Sequence, residues 1–249
     1  MLKVNELSIE ISGKRIVDAS TFFVPRGRIT SIIGESGSGK SMTVSALLNI
    51  LPTGSKSTGR ALFINKDLLT MSNKEMSEIR GSQIFTIFQD AANSFNPSVK
   101  MGKQLYELSG RQIQDSVSKF SVKIVDVLID LGLSKEIMEQ YPFELSGGML
   151  QRCMIACALY VEPDLLIADE PTSALDTILQ KEFIELLKGL NEQQGTTILL
   201  ITHDLDIVAE VADEMIVMHK GKVVETGTVS EVFERPKNAY TKRLLESRF

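Results

Sequence analysis

The stretch Gly34-Glu35-Ser36-Gly37-Ser38-Gly39-Lys40-Ser41 decides the fold of this chain. It matches the phosphate-binding pattern G-x-x-x-x-G-K-[ST] at every position. The apolar run Ile29–Ile33 leads directly into it and predicts a short buried strand, and the residues after it predict a helix from Lys40 through Leu51. A strand, a glycine loop and a helix in this order are the context of a phosphate loop. We therefore predict that a nucleoside triphosphate binds here.

Length and composition restrict the function classes. The 249 residues fit one large α/β domain or a core with a subdomain, and the net charge of -5 disfavours nucleic acid as a partner. No apolar run approaches the roughly 20 residues that cross a bilayer, so any membrane role requires separate membrane subunits. The two cysteines, Cys153 and Cys157, lie one helical turn apart and are interpreted as core residues, not as a disulfide framework.

Periodicity divides the chain into a core and an insertion. Val4–Ile11 and Ile16–Val24 are predicted strands, and later short apolar runs alternate with helical segments, which is typical of a parallel sheet covered on both faces. Between these parts the periodicity becomes mostly helical. We predict a core formed by residues 1–89 and 151–249, with a helical insertion at 90–150.

The loop residues have the chemistry that polyphosphate requires. The glycines let successive backbone N–H groups point at phosphate oxygens, at a helix N-terminus that favours an anion. Lys40 is expected to neutralise the β- and γ-phosphates, and the Ser41 hydroxyl to bind Mg²⁺.

Polar residues follow three predicted strands. Asp169 and Glu170 end the run that starts at Leu165, and we expect Asp169 to hold Mg²⁺ while Glu170 polarises an attacking water. Gln89 is expected to contact both the metal and the water. His203 is expected to donate to the γ-phosphate or to position the water. The other histidine, His219, is predicted to lie in a turn.

A second glycine-containing stretch, Leu145-Ser146-Gly147-Gly148-Met149, precedes a helix predicted to begin near Met149. Ser146 is expected to cap that helix and leave exposed amides as a second anion site. The chain already has a phosphate loop, so this second site suggests a phosphate bound from another subunit. Asp176 is expected to act across the same interface.

In this order, these residues resemble the ATP-binding-cassette (ABC) nucleotide-binding subunit over nearly the whole chain. The matching motifs are Walker A (Gly34 to Ser41), the Q-loop (Gln89), the signature (Leu145 to Met149), Walker B with its base (Leu165 to Glu170), the D-loop (Ser173 to Asp176) and the switch histidine (His203). The resemblance implies an α/β fold with a RecA-like core, an antiparallel β subdomain and an inserted helical subdomain. It also implies ATP and Mg²⁺ as ligands, and a head-to-tail dimer in which each ATP lies between one Walker A and the other chain's signature.

The resemblance also assigns positions that the residues alone do not. Ile11 stands where the family often has an aromatic that stacks on adenine, and Met42 follows the loop as a further nucleotide contact. Met149 replaces the usual Gln of the signature, a position peripheral to the phosphate, so activity is expected to survive.

A narrower likeness is to the ATPases of dipeptide, oligopeptide and nickel importers. It rests on Ser94 to Pro97, on Tyr141 to Arg152, which is most like the nickel-type subunit, and on Pro236 to Leu245. It implies a peripheral protein at the cytoplasmic face of the membrane, with a second, non-identical ATPase, two permease subunits and an extracytoplasmic solute-binding protein as partners. The expected function is ATP-driven uptake of nickel, another metal or metallophore, or a di- or oligopeptide. The alternatives are an export ATPase and a soluble ABC ATPase acting on DNA or ribosomes.

Overall fold

The computed structural model of the protein describes residues 1–89, 91–173 and 177–246. Within them the strands are β1 (Leu2–Ile11), β2 (Lys14–Val24), β3 (Ile29–Ile33), β4 (Ser55–Phe63), β5 (Lys66–Asp67), β6 (Ile84–Ile87), β7 (Leu165–Asp169), β8 (Thr197–Ile201), β9 (Glu214–His219) and β10 (Lys222–Thr228). The α-helices are α1 (Lys40–Leu47), α2 (Asn73–Ile79), α3 (Met101–Leu105), α4 (Val117–Asp130), α5 (Gly147–Val161), α6 (Thr177–Gln194), α7 (Leu205–Val211), α8 (Val229–Glu234) and α9 (Ala239–Glu246). In the described part of the chain, no helix has the length and apolar character needed to span a bilayer.

The chain divides into two compact units. The first unit contains Met1–Ser77 and the described residues from Thr197 onward, and the second contains Glu78–Thr196. The division inferred from periodicity, with a core at 1–89 and 151–249 and a helical insertion at 90–150, stays a prediction.

An antiparallel sheet forms one layer of the first unit, in the strand order β2-β1-β4-β5. Strand β1 pairs with β2 on one side and β4 on the other. Its residues Leu2, Val4, Leu7 and Ile9 are fully buried, while Lys3 and Glu6 between them are exposed. This alternation is the pattern of a sheet with one face on the core. It confirms the strands predicted in the first 24 residues.

The other strands of the first unit follow the order β10-β9-β3-β8. Strand β3 is parallel to β8 and β9, and all five of its residues are buried. A strand enclosed by neighbours and covered on both faces buries every residue rather than alternate ones, so Thr30 and Ser31 are buried together with the three isoleucines of Ile29–Ile33. The hairpin of β9 and β10 is antiparallel and leads to the two C-terminal helices.

Helix α1 is shorter than predicted. It ends at Leu47 instead of Leu51, because Asn49 takes a left-handed conformation with a φ of 52°. The N–H of Asn49 donates to the carbonyl of Ala46, and the next N–H donates to Ser45, so the last turn is closed by backbone hydrogen bonds. Asparagine tolerates this conformation better than most residues, and the prediction overlooked it as a stop signal.

The second unit combines a parallel strand pair, β6 with β7, with helices. In α4 the buried residues Phe120, Ile124 and Leu128 recur every four positions and form one apolar stripe. The Phe120 ring makes edge contacts with Tyr106 and Tyr160, with ring centroids 5.4 and 5.0 Å away. Such aromatic pairs stabilise a core beyond the area they bury.

Candidate functional site

The phosphate loop connects the end of β3 to the start of α1, as predicted. Gly37 and Gly39 have φ values of 79° and 103°, a region that side chains with a Cβ rarely enter. At Gly34 the constraint is steric, because an added Cβ would lie 2.1 Å from the carbonyl oxygen of Met218 on β9. The loop therefore follows a path that requires glycine at these positions.

Polar groups of the loop converge on its interior. Lys40 is buried, and its Nζ donates to the carbonyl oxygens of Gly34 and Glu35 at 2.6 and 3.1 Å. The Ser38 Oγ is also buried and has no hydrogen-bond partner among the described residues. A buried lysine, an orphaned hydroxyl and the N-terminus of a helix form a cradle whose chemistry fits a phosphate group.

The remaining predicted nucleotide contacts of the first unit vary in exposure. Glu35, Ser36, Gly37 and Ser41 are exposed, and Met42 is half-buried on α1. Ile11 is half-buried at the end of β1, where it pairs with Lys14 and Ser55. Its aliphatic side chain offers dispersion contact to a base and no ring for stacking.

His203 leaves the sheet at the same edge as the phosphate loop. Strands β3 and β8 are parallel with Ile32 opposite Ile201, so the two strands end at the same level of the sheet. His203 is exposed in the connection to α7. The next residue, Asp204, caps α7 by accepting hydrogen bonds from the backbone N–H groups of Asp206 and Ile207 at 2.8 and 3.2 Å. The position of His203 is thus fixed between a buried strand and a capped helix.

In the second unit, Gln89 and Glu170 occupy equivalent positions. Strands β6 and β7 are parallel with Ile87 opposite Ala168, and each polar residue follows its strand partner by two positions. Ligands collect at this carboxyl edge in open α/β sheets. Gln89 is exposed, while Asp169 and Glu170 are half-buried.

Glu170 has an unusual backbone. Its φ of 45° is left-handed, which is uncommon for a residue other than glycine and recurs at functional sites. Its carbonyl accepts hydrogen bonds from the N–H and the hydroxyl of Ser173 at 3.2 and 3.0 Å. The turn that carries the carboxylate is therefore held by local hydrogen bonds.

The signature stretch begins a helix, and Ser146 caps it as predicted. The Ser146 Oγ accepts a hydrogen bond from the Met149 N–H at 3.3 Å, and α5 starts at Gly147, two residues earlier than expected. Ser146 and Gly147 are exposed, Gly148 is buried and Met149 is half-buried. A Cβ added at Gly147 would meet no atom within 4 Å, so the helix N-terminus is open to a ligand. Asp176, the predicted interface residue, lies outside the described residues.

Two residues that hold these motifs were not predicted from the sequence. Gln151, buried in α5, donates to the Pro171 carbonyl next to Glu170. A glutamine among the apolar positions of α5 is a signal that could have identified it. Tyr240 of α9 accepts a hydrogen bond from the Glu35 N–H of the phosphate loop at 3.1 Å, and no local pattern indicates a contact over this separation.

The prediction for His219 was wrong. It is the last residue of β9, not a turn residue, and the turn follows it. Its ring stacks on Tyr240 with centroids 3.8 Å apart.

Comparisons with known proteins agree with these motifs. Residues 17–173 match the family described as ABC transporter. The oligopeptide transport ATP-binding protein OppD of Bacillus subtilis (strain 168) is 42% identical, over 99% of this chain and 71% of that protein. The dipeptide transport ATP-binding protein DppD of the same organism is 44% identical, over 91% of this chain and 69% of that protein.

Solved structures show the same fold. CbiO1 from Clostridium perfringens, part of the ABC transporter complex CbiONQ, has a TM-score of 0.79 and 30% identity, with 99% of this chain and 96% of that chain covered. The ATP-binding cassette MJ0796, dimeric in a post-hydrolysis state with ADP and Pi, has a TM-score of 0.78 and 25% identity, with 92% and 99% covered. These neighbours confirm the predicted α/β class with a RecA-like core. The chain belongs to the ABC transporter family, as an ATP-binding subunit that couples ATP hydrolysis, with Mg²⁺ as the usual ion, to transport.

Proposed function

We propose that this chain is the ATPase subunit of an importer for di- or oligopeptides. One observation carries the proposal that two cassettes bind ATP between them in a head-to-tail dimer. The N-terminus of α5 is exposed and capped by a serine, and it offers a second anion site on a chain that already has a phosphate loop. The dimeric state of the MJ0796 cassette supports an arrangement in which this second site serves the nucleotide of a partner cassette.

The proposed solute rests on the relatives, since an ATPase subunit need not touch the solute. OppD and DppD are named for oligopeptides and dipeptides and match this chain at 42% and 44% identity. This favours peptides over nickel, which the stretch from Tyr141 to Arg152 had suggested.

In the proposed reaction, the backbone of the loop and Lys40 bind the β- and γ-phosphates and neutralise their charge. The Glu170 carboxylate accepts a proton from a water whose oxygen attacks the γ-phosphorus. The bond from that phosphorus to the bridging oxygen breaks, and ADP and phosphate leave. His203 and Gln89 orient the water and the γ-phosphate, and Ser146 with Gly147 binds the partner's γ-phosphate.

Ser41, Gln89 and Asp169 are the proposed holders of Mg²⁺. They supply a hydroxyl, an amide and a carboxylate oxygen, the hard donors that this ion prefers. Bound there, the ion would supply Lewis-acid stabilisation of charge on the phosphate oxygens.

The proposal includes an assembly. Two permease subunits would cross the membrane, and a solute-binding protein would deliver the peptide outside. A second, non-identical cassette would complete both composite sites at the cytoplasmic face.

An uptake assay tests this function. Cells that lack the gene for this chain are supplied in trans with the wild type, with Glu170→Gln, or with Glu192→Gln as the matched control, since Glu192 is an exposed carboxylate outside the site. Accumulation of a labelled tripeptide and of radioactive nickel is then measured in each strain.

We expect peptide accumulation to be lost in the deletion strain and with Glu170→Gln, and to be restored by the wild type and by Glu192→Gln. Nickel accumulation should not change. Peptide accumulation that rises on deletion would identify an exporter. Loss of nickel uptake with normal peptide uptake would overturn the proposed solute.

A further inference from the structure

The phosphate loop is enclosed by C-terminal residues of the first unit. Met218, Gly221 and Tyr240 contact the loop, and His219 stacks on Tyr240. The Met218 carbonyl lies against Gly34, and the Gly221 N–H donates to the Ser38 carbonyl at 3.0 Å. These contacts hold the start of the loop against β9 and the middle of the loop against the turn that follows β9.

Tyr240 contacts the loop through its hydroxyl. The Glu35 N–H donates to this oxygen at 3.1 Å, while the Glu35 carbonyl accepts from Lys40 Nζ and from the Ser38 N–H, both at 3.1 Å. The peptide groups on both sides of Glu35 are thus held by hydrogen bonds within the protein. A loop that is already ordered loses less conformational entropy on binding, which raises affinity.

The ring of Tyr240 is itself held firmly. It is 6% exposed, stacks on His219 and packs in an apolar cluster with Ile33 and Val217. Burial raises the pKa of the Tyr240 phenol, so the hydroxyl stays neutral across the physiological range. The hydroxyl is therefore a constant acceptor at a fixed position.

Strand β10 anchors the segment that carries this tyrosine. The Glu225 carboxylate accepts from the N–H groups of Lys237 and Asn238 at 2.7 and 3.0 Å. The Asn238 side chain in turn accepts from the Tyr240 N–H at 2.8 Å. The start of α9 is therefore tied to the hairpin, and the tyrosine hydroxyl extends from this support to the loop.

We propose that Tyr240 is a positioning residue that sets the affinity of the phosphate loop for ATP by holding the Glu35 N–H. The inference rests on the proposed role of Gly34–Ser41 in phosphate binding. Because coupling between two sites is reciprocal, bound ATP must strengthen the docking of α9 by the same factor by which this contact strengthens ATP binding.

The test compares Tyr240→Phe with Tyr160→Phe in the full chain and in the assembled transporter. Tyr240→Phe keeps the ring and its stacking and removes only the hydroxyl. Tyr160→Phe removes a hydroxyl that donates to Asp115 in the second unit, and so matches the change in chemistry. Binding of a fluorescent ATP analogue with Mg²⁺ gives Kd, steady-state hydrolysis gives KM and kcat, and hydrogen exchange reports on the loop and on α9.

Loss of one neutral hydrogen bond predicts that Tyr240→Phe raises Kd and KM for ATP by about 2- to 12-fold, with kcat nearly unchanged. Exchange at the Glu35 amide should become faster, and ATP should slow exchange in α9 less than in the wild type. Tyr160→Phe should change none of these quantities.

Equal ATP affinity in the two variants would overturn the proposal, as would a fall in kcat alone. Faster exchange across α9 with unchanged Kd would identify a purely structural tyrosine and would also overturn it. Lys40→Ala serves as a separate arm: if that variant binds ATP like the wild type, the role of the loop itself fails, whatever Tyr240 does.

Discussion

Substitution of Gly34 by alanine tests the path of the phosphate loop. The new Cβ would lie 2.1 Å from the Met218 carbonyl oxygen, whereas real Cβ contacts are not shorter than 3.0 Å. One of the two backbones must therefore move by about 0.9 Å, and neither is a flexible side-chain end. A displacement of about 1 Å in a group that positions substrate costs on the order of 100-fold in rate. We expect kcat/KM for ATP to fall by about that factor.

Gly13→Ala is the matched control for this change. Gly13 has a left-handed φ of 78°, and an added Cβ would meet no atom within 4 Å. This variant therefore has only the conformational cost of about 1 kcal/mol, away from the loop. ATP hydrolysis by transporters assembled with each variant, together with thermal unfolding, separates the two effects. If Gly34→Ala keeps kcat/KM within about threefold of Gly13→Ala, the steric argument is wrong.

Three further predictions concern the folded state. Phe120→Ala should lower the free energy of unfolding by about 3–5 kcal/mol because Phe120 is 1% exposed, whereas Val122→Ala, at a site 68% exposed, should change it by no more than about 0.5 kcal/mol in a denaturant titration. Burial disfavours the charged form of Glu225, but hydrogen bonds from the Thr241 side chain and from the backbone N–H groups of Lys237 and Asn238 outweigh burial and lower the pKa of this carboxyl. Its stabilisation is therefore present above the unfolded pKa near 4.3 and is lost as pH falls through the lower folded pKa. The difference in melting temperature between the wild type and Glu225→Gln should thus be large at pH 7 and vanish in acid, and a difference independent of pH would contradict this. Burial raises the pKa of Cys153 to about 12 and raises that of Cys157 as well, so a thiol reagent at neutral pH should label both cysteines after unfolding and neither before; rapid labelling of the folded protein would show that the helix opens.

Local chemistry explains what the sequence could predict. The strand before the loop, the cap at Ser146 and the strand that ends at Asp169 depend on nearby residues: a run of β-branched side chains, a hydroxyl three residues before an amide, and glycines where φ is positive. Each is determined within a few positions of the chain, and the structure confirmed all of them.

Long-range contacts explain what it could not predict. The Glu35 N–H meets Tyr240 from the other end of the chain, and the Gln151 amide meets the Pro171 carbonyl, only after the chain has folded. His219 was misassigned for a different reason: it pairs with Lys222 as the last residue of β9, directly before the turn at Lys220 and Gly221, and the exact end of a strand is the part of an element that sequence predicts least well. Periodicity describes which face of an element is buried and contains no information about the partner of a single polar atom.

The most direct measurement of the central claim is the fate of ATP on this chain with Glu170→Gln. Assembled transporters are allowed to turn over with azido-ATP labelled at the γ-phosphate, and are then photocrosslinked, so that the label reports on this chain alone. If Glu170 is the general base, the wild type loses the γ-label. Glu170→Gln retains it and hydrolyses ATP at this site at least about 100-fold more slowly than the wild type. Loss of the label from Glu170→Gln at the wild-type rate would contradict the account.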